Sequence, residues 1–232
     1  METKVKRFLM PVLLAMAIPA AAQDKVEVNV GADVVSGYIW RGQDLGNASI
    51  QPTLSVGYRG FSLTAWGSAG FSKEDTKEFD LTLGYAGGGF SVSVTDYWFN
   101  NGPGYFHYGA GNTAHVFEAQ VGYDFGFLAA NWYTNFAGND GVNRSGHRAY
   151  ASYLNLTAPF TLGGLEWAVS VGATPWANTF YNGGAGGFEL TDIGIGASKE
   201  IRLTDRYALP VFARAIWNPA TEGAYFVFGI SL

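Results

Sequence analysis

Along most of this chain, apolar and polar residues alternate one for one. Ile50, Pro52, Leu54, Val56 and Tyr58 share one parity, and Gln51, Thr53, Ser55 and Gly57 share the other. A period of two describes a strand with one apolar and one polar face. A tight Arg59-Gly60 turn leads into Phe61, Leu63, Ala65 and Gly67, which alternate with Ser62, Thr64, Trp66 and Ser68. The pattern returns over 78–86, 90–95, 117–123, 128–136, 150–157, 165–171, 188–198, 207–215 and 225–232, and it begins with a first strand over 26–40. The spacing predicts an all-β chain of about 12 strands, an even number as a single-chain antiparallel up-and-down β-barrel requires. Alternate connections are longer, which predicts short periplasmic turns and longer extracellular loops.

Two places break the alternation. Leu190 lies on one parity while Ile193, Ile195 and Ala197 lie on the other, which predicts a β-bulge near Asp192. Pro210 forfeits a ladder hydrogen bond and predicts a second irregularity. The chain is expected to turn through Pro159, Gly163 and Gly164, and again over 201–206. The last strand alternates Phe226, Phe228, Ile230 and Leu232 with Tyr225, Val227, Gly229 and Ser231.

The charges assign the faces. Glu27 and Asp33 lie opposite Val26, Val28, Val30, Ala32 and Val34 on the first strand. A charged side chain facing lipid at the midplane costs up to about 2–4 kcal/mol, so in a membrane barrel the acids face the lumen. By the same parity Asp80, Glu118, Glu166 and Arg214 point inward, and Asp124 continues that face at the periplasmic mouth. Asp96 falls on the outward parity and is expected at the interface or beside a bulge. Tyr58, Phe61, Tyr85, Phe90, Tyr123, Phe125 and Tyr207 gather at the short-turn ends. Tyr38, Trp40, Phe71, Trp98, Phe99, Phe136, Trp176 and Trp217 gather at the long-loop ends. Two rings of aromatics at opposite strand ends are the expected interfacial girdles.

Composition narrows the picture. The chain holds 32 Gly in 232 residues, is 16% aromatic and only 14% charged. Lys4, Lys6 and Arg7, an apolar run over 8–18 and Ala20-Ala21-Ala22 predict a signal peptide over 1–22, with the barrel over 23–232. Removing it takes three of the 14 basic residues and one of the 19 acidic ones. The mature charge of about −7 argues against nucleic acid as a partner. The absence of cysteine excludes disulfides, thiolate metal sites and a cysteine nucleophile.

The first hairpin carries a family resemblance. Ser36-x-Tyr38-x-Trp40-Arg41-Gly42, Pro52 five residues after Asn47, and Trp66-Gly67-Ser68 resemble the opening hairpin of the TorF-type porins, a bacterial outer-membrane family. Glu78-Phe79-Asp80-Leu81 with Gly84-Tyr85 resembles that family's next strand, and Glu118 falls where the family tends to carry a Glu. The resemblance runs from about Ala32 to Tyr123. Gly57 departs from it where an acidic residue is expected, and Leu232 stands where outer-membrane barrels usually end on an aromatic. The resemblance implies a β-barrel in the bacterial outer membrane and says little of a solute.

No motif carries a catalytic or cofactor signature. Gly87-Gly88-Gly89 is followed by a strand and does not open a phosphate-binding helix. His107, His115 and His147 all lie in or beside predicted outer loops. Ser145 and His147 are the pair that an outer-membrane lipid hydrolase could use. The pattern points instead to a passive channel for small polar solutes, wider than a filled eight-stranded barrel and narrower than a 16-stranded porin. Its expected lining is Glu27, Asp33, Asp80, Glu118, Asp124, Glu166 and Arg214, which predicts a mild cation preference. The alternative is a plugged structural or binding barrel, its acids satisfied by Arg214 and polar neighbours. Expected partners are outer-membrane lipid, small polar solutes and the barrel-assembly machinery during insertion.

Overall fold

The computed structural model describes residues 25–109, 111–184 and 186–232; the predicted signal peptide lies outside them. Twelve strands close into one antiparallel barrel: β1 (Glu27–Val35), β4 (Ser49–Tyr58), β5 (Phe61–Gly70), β6 (Lys77–Gly87), β7 (Phe90–Phe99), β8 (His115–Asp124), β9 (Ala129–Gly138), β10 (Ser152–Leu162), β11 (Leu165–Thr174), β12 (Glu189–Arg202), β13 (Ala208–Asn218) and β14 (Gly223–Ser231). Two further strands, β2 (Tyr38–Trp40) and β3 (Gln43–Gly46), pair only with each other. The described residues contain no helix long and apolar enough to cross a membrane, which says nothing of a barrel.

The ladder closes where β1 meets β14. That seam is short, with Asp33, Val34 and Val35 opposite Ser231, Ile230 and Gly229. Reciprocal backbone bonds between Ala32 and Leu232 extend it by one step. On its other edge β1 pairs with β4 over its whole length. Outward side chains such as Val30, Leu83, Phe226 and Phe228 remain exposed, while Glu118, Asn135, Ser152 and Thr191 are buried on the lumen side. The packed core of the molecule therefore lies inside the barrel.

The expected bulge is present. Gly172 faces Asp192 and Ala173 faces Leu190, so Thr191 is the additional residue. The irregularity expected at Pro210 is absent: the register with β12 passes through Glu200 and Pro210 without a shift, and β14 begins its pairing one residue later, at Val211. Proline is tolerated near the start of a strand, where one flank has no ladder to interrupt. Pro159 likewise stays inside β10 opposite Ala168, so the turn is confined to Gly163 and Gly164. Strand β12 runs on to Arg202 and shortens the expected turn after it. The alternation of long and short connections fails once, at the four residues 219–222 between β13 and β14.

The first strand, expected to run unbroken over 26–40, is shorter than its alternation implies. It stops at Val35. The Ser36 amide donates to the Phe228 carbonyl at 2.9 Å, and the Ser36 hydroxyl accepts the Phe228 amide at 3.0 Å. The side chain thus takes a bond that a continuing strand would make with its backbone. After Gly37 the chain leaves the wall and turns into the lumen as the β2–β3 hairpin. Parity counted from β1 consequently misplaces Tyr38 and Trp40, which belong to the interior and not to the outer girdle. Phe99 also packs inward, against Tyr97.

Candidate functional site

The tip of the β2–β3 hairpin is Arg41-Gly42, between the paired residues Trp40 and Gln43. Both tip residues have positive φ, 52° and 79°, as a two-residue type I′ turn requires. Gly42 is needed for a second reason: a Cβ there would run into the Thr191 carbonyl on the bulge of β12. Its own carbonyl accepts from Asn218 Nδ2 at 3.0 Å. The bulge and Asn218 thus form the seat of the tip.

Arg41 is buried inside the lumen, against β8, β9 and β10. Its guanidinium donates to both oxygens of Glu118, at 2.5 and 2.8 Å, and the two side chains are 1% and 2% exposed. A planar fork on a carboxylate is the strongest common ion-pair geometry. The guanidinium carbon is 4.5 Å from the ring centre of Trp40, 4.1 Å from Tyr133, 4.7 Å from Tyr153 and 5.7 Å from Tyr181. Arg41 also donates to the Tyr181 hydroxyl, and the Tyr97 hydroxyl donates to Glu118 at 2.9 Å. Desolvated cation–π contacts contribute about 2 kcal/mol or more, so the rings replace much of the hydration that Arg41 loses.

Tyr181 reaches this cluster from the loop between β11 and β12. Asn178 shapes that loop: its side-chain oxygen accepts the Tyr181 amide at 2.7 Å, and its Nδ2 donates to Thr174 Oγ1 at 2.8 Å. Phe180, beside Tyr181, packs edge-on to Trp40. Elsewhere Tyr38 donates to Glu78 at 2.8 Å and packs on Trp66, while Ile39 packs with Val35, Phe212, Ile216 and Val227. The hairpin therefore bridges the lumen from β5 and β6 to β13 and β14.

Its base is held from outside the lumen. Asp75, in the β5–β6 loop, accepts the Asn47 amide at 3.1 Å, Asn47 Nδ2 at 2.9 Å and the Ser72 amide at 3.0 Å. These donors hold the Asp75 carboxyl below the usual carboxylate range. Gly70 leaves the room that the Asp75 side chain fills, since a Cβ there would overlap it.

The acidic and basic residues selected from parity divide into three groups. Glu118 is in the central pair. Asp80, Arg214 and Asp33 lie on the inward face at other positions: Asp80 beneath Glu78 on β6, Arg214 beside Gly194 of β12, which Asp192 also flanks, and Asp33 accepting from the Ser231 hydroxyl at 2.6 Å. Asp124 and Glu166 are exposed near the short-turn end, Glu27 is half-buried there, and none of the three is drawn into the cluster. Parity did not single out Arg41, Tyr97, Tyr133, Tyr153, Tyr181 or Asp192. One signal for Arg41 was present: Trp40-Arg41-Gly42-Gln43 repeats the aromatic-Arg-Gly pattern of Tyr58-Arg59-Gly60-Phe61, already read as a tight turn.

The outward Asp96 is paired rather than bare. Its carboxylate is 2.7 Å from His115 Nδ1, and His115 Nε2 is 2.6 Å from the Tyr105 carbonyl. Tyr108 stacks on the imidazole at 4.1 Å, so Tyr105 and Tyr108 of the β7–β8 loop cover this pair. Ser145 and His147 are both exposed, and their backbone amides donate to Asn143 Oδ1 at 2.9 and 3.2 Å. That turn accounts for their spacing.

No protein-family model matches the chain, and no curated protein matches it. Among solved structures it is similar to a porin refined at 1.8 Å resolution, with 12% identity and a TM-score of 0.40, over 89% of this chain and 99% of that one.

Proposed function

We propose that this protein is a bacterial outer-membrane channel for small polar solutes, closed at its outer half by the β2–β3 hairpin. The observation that carries the reading is a barrel turned inside out. Its exterior exposes Val30, Leu83, Phe226 and Phe228 at 60% or more, while Glu78, Asp80, Glu118, Asn135 and Asp192 are buried inside. A water-soluble protein seldom leaves so wide an apolar surface uncovered, and lipid covers such a wall. The predicted signal peptide and the TorF-type resemblance fit the same compartment.

Passage is supported by what lines the wall below the hairpin. Thr53, Ser55, Thr64, Thr82, Ser93, Asn131, Asn155 and Ser198 are inward and half-buried, a hydrated polar lining rather than a packed apolar core. Around the hairpin the carboxylates of Glu78, Asp80, Glu118 and Asp192 outnumber the guanidiniums of Arg41 and Arg214. That imbalance favours cations over anions. A second reading, a permanently plugged structural barrel, is favoured by the burial of the Arg41–Glu118 pair.

Fractionated cells and liposome swelling together test the proposal. The protein is expected in the outer-membrane fraction, released only by detergent, and proteoliposomes are expected to swell in small sugars faster when the hairpin is deleted. Recovery in a detergent-free soluble fraction would contradict the membrane reading. Identical, negligible swelling with and without the hairpin would contradict the channel.

A further inference from the structure

The surroundings of Arg41 have the build of a receptor for the group it carries. Three of the four rings around the guanidinium, those of Tyr133, Tyr153 and Tyr181, belong to the wall or the β11–β12 loop, and so does Glu118. Removing the hairpin would leave an aromatic box with a carboxylate at its end. The box also offers more polar groups than Arg41 uses. Both side-chain atoms of Asn135, opposite Glu118 on β9, are buried without a hydrogen-bond partner, as is Asp192 Oδ1 beside Tyr153. Arg41 Nε is itself buried without an acceptor. The tethered guanidinium thus satisfies its two terminal nitrogens and leaves its third nitrogen, and several of its host's groups, unmatched.

A surface cleft adjoins the box. A cleft of about 230 Å³ on the loop side is lined by Phe99, Asn101, Val116, Asn139, Thr179 and Phe180. Val116 and Phe180 are also part of the packing around Trp40, so the floor of the cleft is the roof of the box.

We infer that this box is a recognition site for guanidinium-bearing solutes and that Arg41 occupies it as a tethered surrogate. The chemistry selects a guanidinium over an ammonium. A planar cation can lie among ring faces while placing two parallel N–H groups on Glu118, whereas an ammonium is more strongly hydrated and has no fork. A solute that enters the box must displace Arg41, so recognition and withdrawal of the hairpin become one event. The inference rests on the channel reading for how a solute passes on, but not for whether it binds.

The test uses methylguanidinium chloride as probe, with methylammonium chloride at equal ionic strength as control. Purified, refolded Arg41→Ala protein is expected to show a concentration-dependent rise of a few degrees in apparent Tm with millimolar methylguanidinium and none with methylammonium. Adding Glu118→Gln to that variant is expected to abolish the rise. Arg41→Lys is run in parallel because it keeps a cation in the lumen; the same probe is expected to stabilise it, again only with Glu118 intact. Failure of both variants to respond, or a response that survives Glu118→Gln, would overturn the inference. Bilayer recordings of the same variants separate the two claims: silence together with methylguanidinium stabilisation would remove the channel and leave the site.

Discussion

Arg41 and Glu118 are 77 positions apart in the chain and meet as a two-bond fork inside the lumen, 2.5 and 2.8 Å between their atoms. The first belongs to a hairpin that leaves the wall and the second to the wall itself. Their pairing converts a surface loop into an internal crosspiece. Breaking a buried pair on one side leaves an uncompensated charge at a cost of about 3–5 kcal/mol. Glu118→Gln is therefore expected to lower the apparent Tm and free the hairpin, while a variant that replaces both residues by apolar ones loses less. A double-mutant cycle on thermal unfolding measures the coupling; additive losses would contradict the pairing.

Gly42 controls whether the tip can seat. Alanine there meets the Thr191 carbonyl and must hold positive φ, which costs roughly 1–2 kcal/mol in backbone conformation alone. Gly42→Ala is expected to leave the barrel closed but expel the tip. Trypsin cleavage after Arg41 is then expected in the variant and not in the wild type, where Arg41 is buried. Equal protection in both proteins would contradict the seated tip.

The Asp75 anchor carries a pH dependence of known sign. Its folded carboxyl titrates below the unfolded value, because the Asn47 and Ser72 amides favour the ionised form. The contribution is full above the unfolded carboxyl value, about pH 4, and is lost as pH falls through the lower folded value. The Tm difference between wild type and Asp75→Asn is thus expected to be constant from pH 7 to about pH 5 and to shrink only once the pH falls below the unfolded carboxyl value and through the lower folded one. A difference that persists unchanged in acid would contradict the anchor.

Much of the fold was legible in the alternation. Rows such as Phe79, Leu81, Leu83 and Tyr85 against Asp80, Thr82 and Gly84 fix a face because one side must be apolar, and the bulge at Thr191 registered as a parity change. The hairpin was not legible by the same rule. Tyr38 and Trp40 keep the parity of Val34, but Ser36 closes the ladder and Gly37 lets the chain leave the wall, so the parity loses its meaning there. The site suffered most from this. Glu118 was identified from its inward parity, whereas its partner Arg41 lies one residue past the expected strand 26–40, in a connection to which parity assigns no face. Tyr181 sits in a Gly- and Asn-rich loop, where composition reports a loop and not the inward direction that Asn178 imposes.

The acid-rich lumen predicts selectivity. Reversal potentials across a KCl gradient are expected to show cation preference, and Asp80→Asn is expected to reduce it. Anion preference in the wild type would contradict the lining.

Single-channel conductance of the refolded protein in a planar bilayer, with and without the hairpin residues 38–46, decides whether the hairpin closes a passage. Small or rare discrete openings are expected in the wild type, and steps several-fold larger once the hairpin is removed. Equal conductance in the two proteins, or silence in both, would contradict a passage closed by Arg41 and its hairpin.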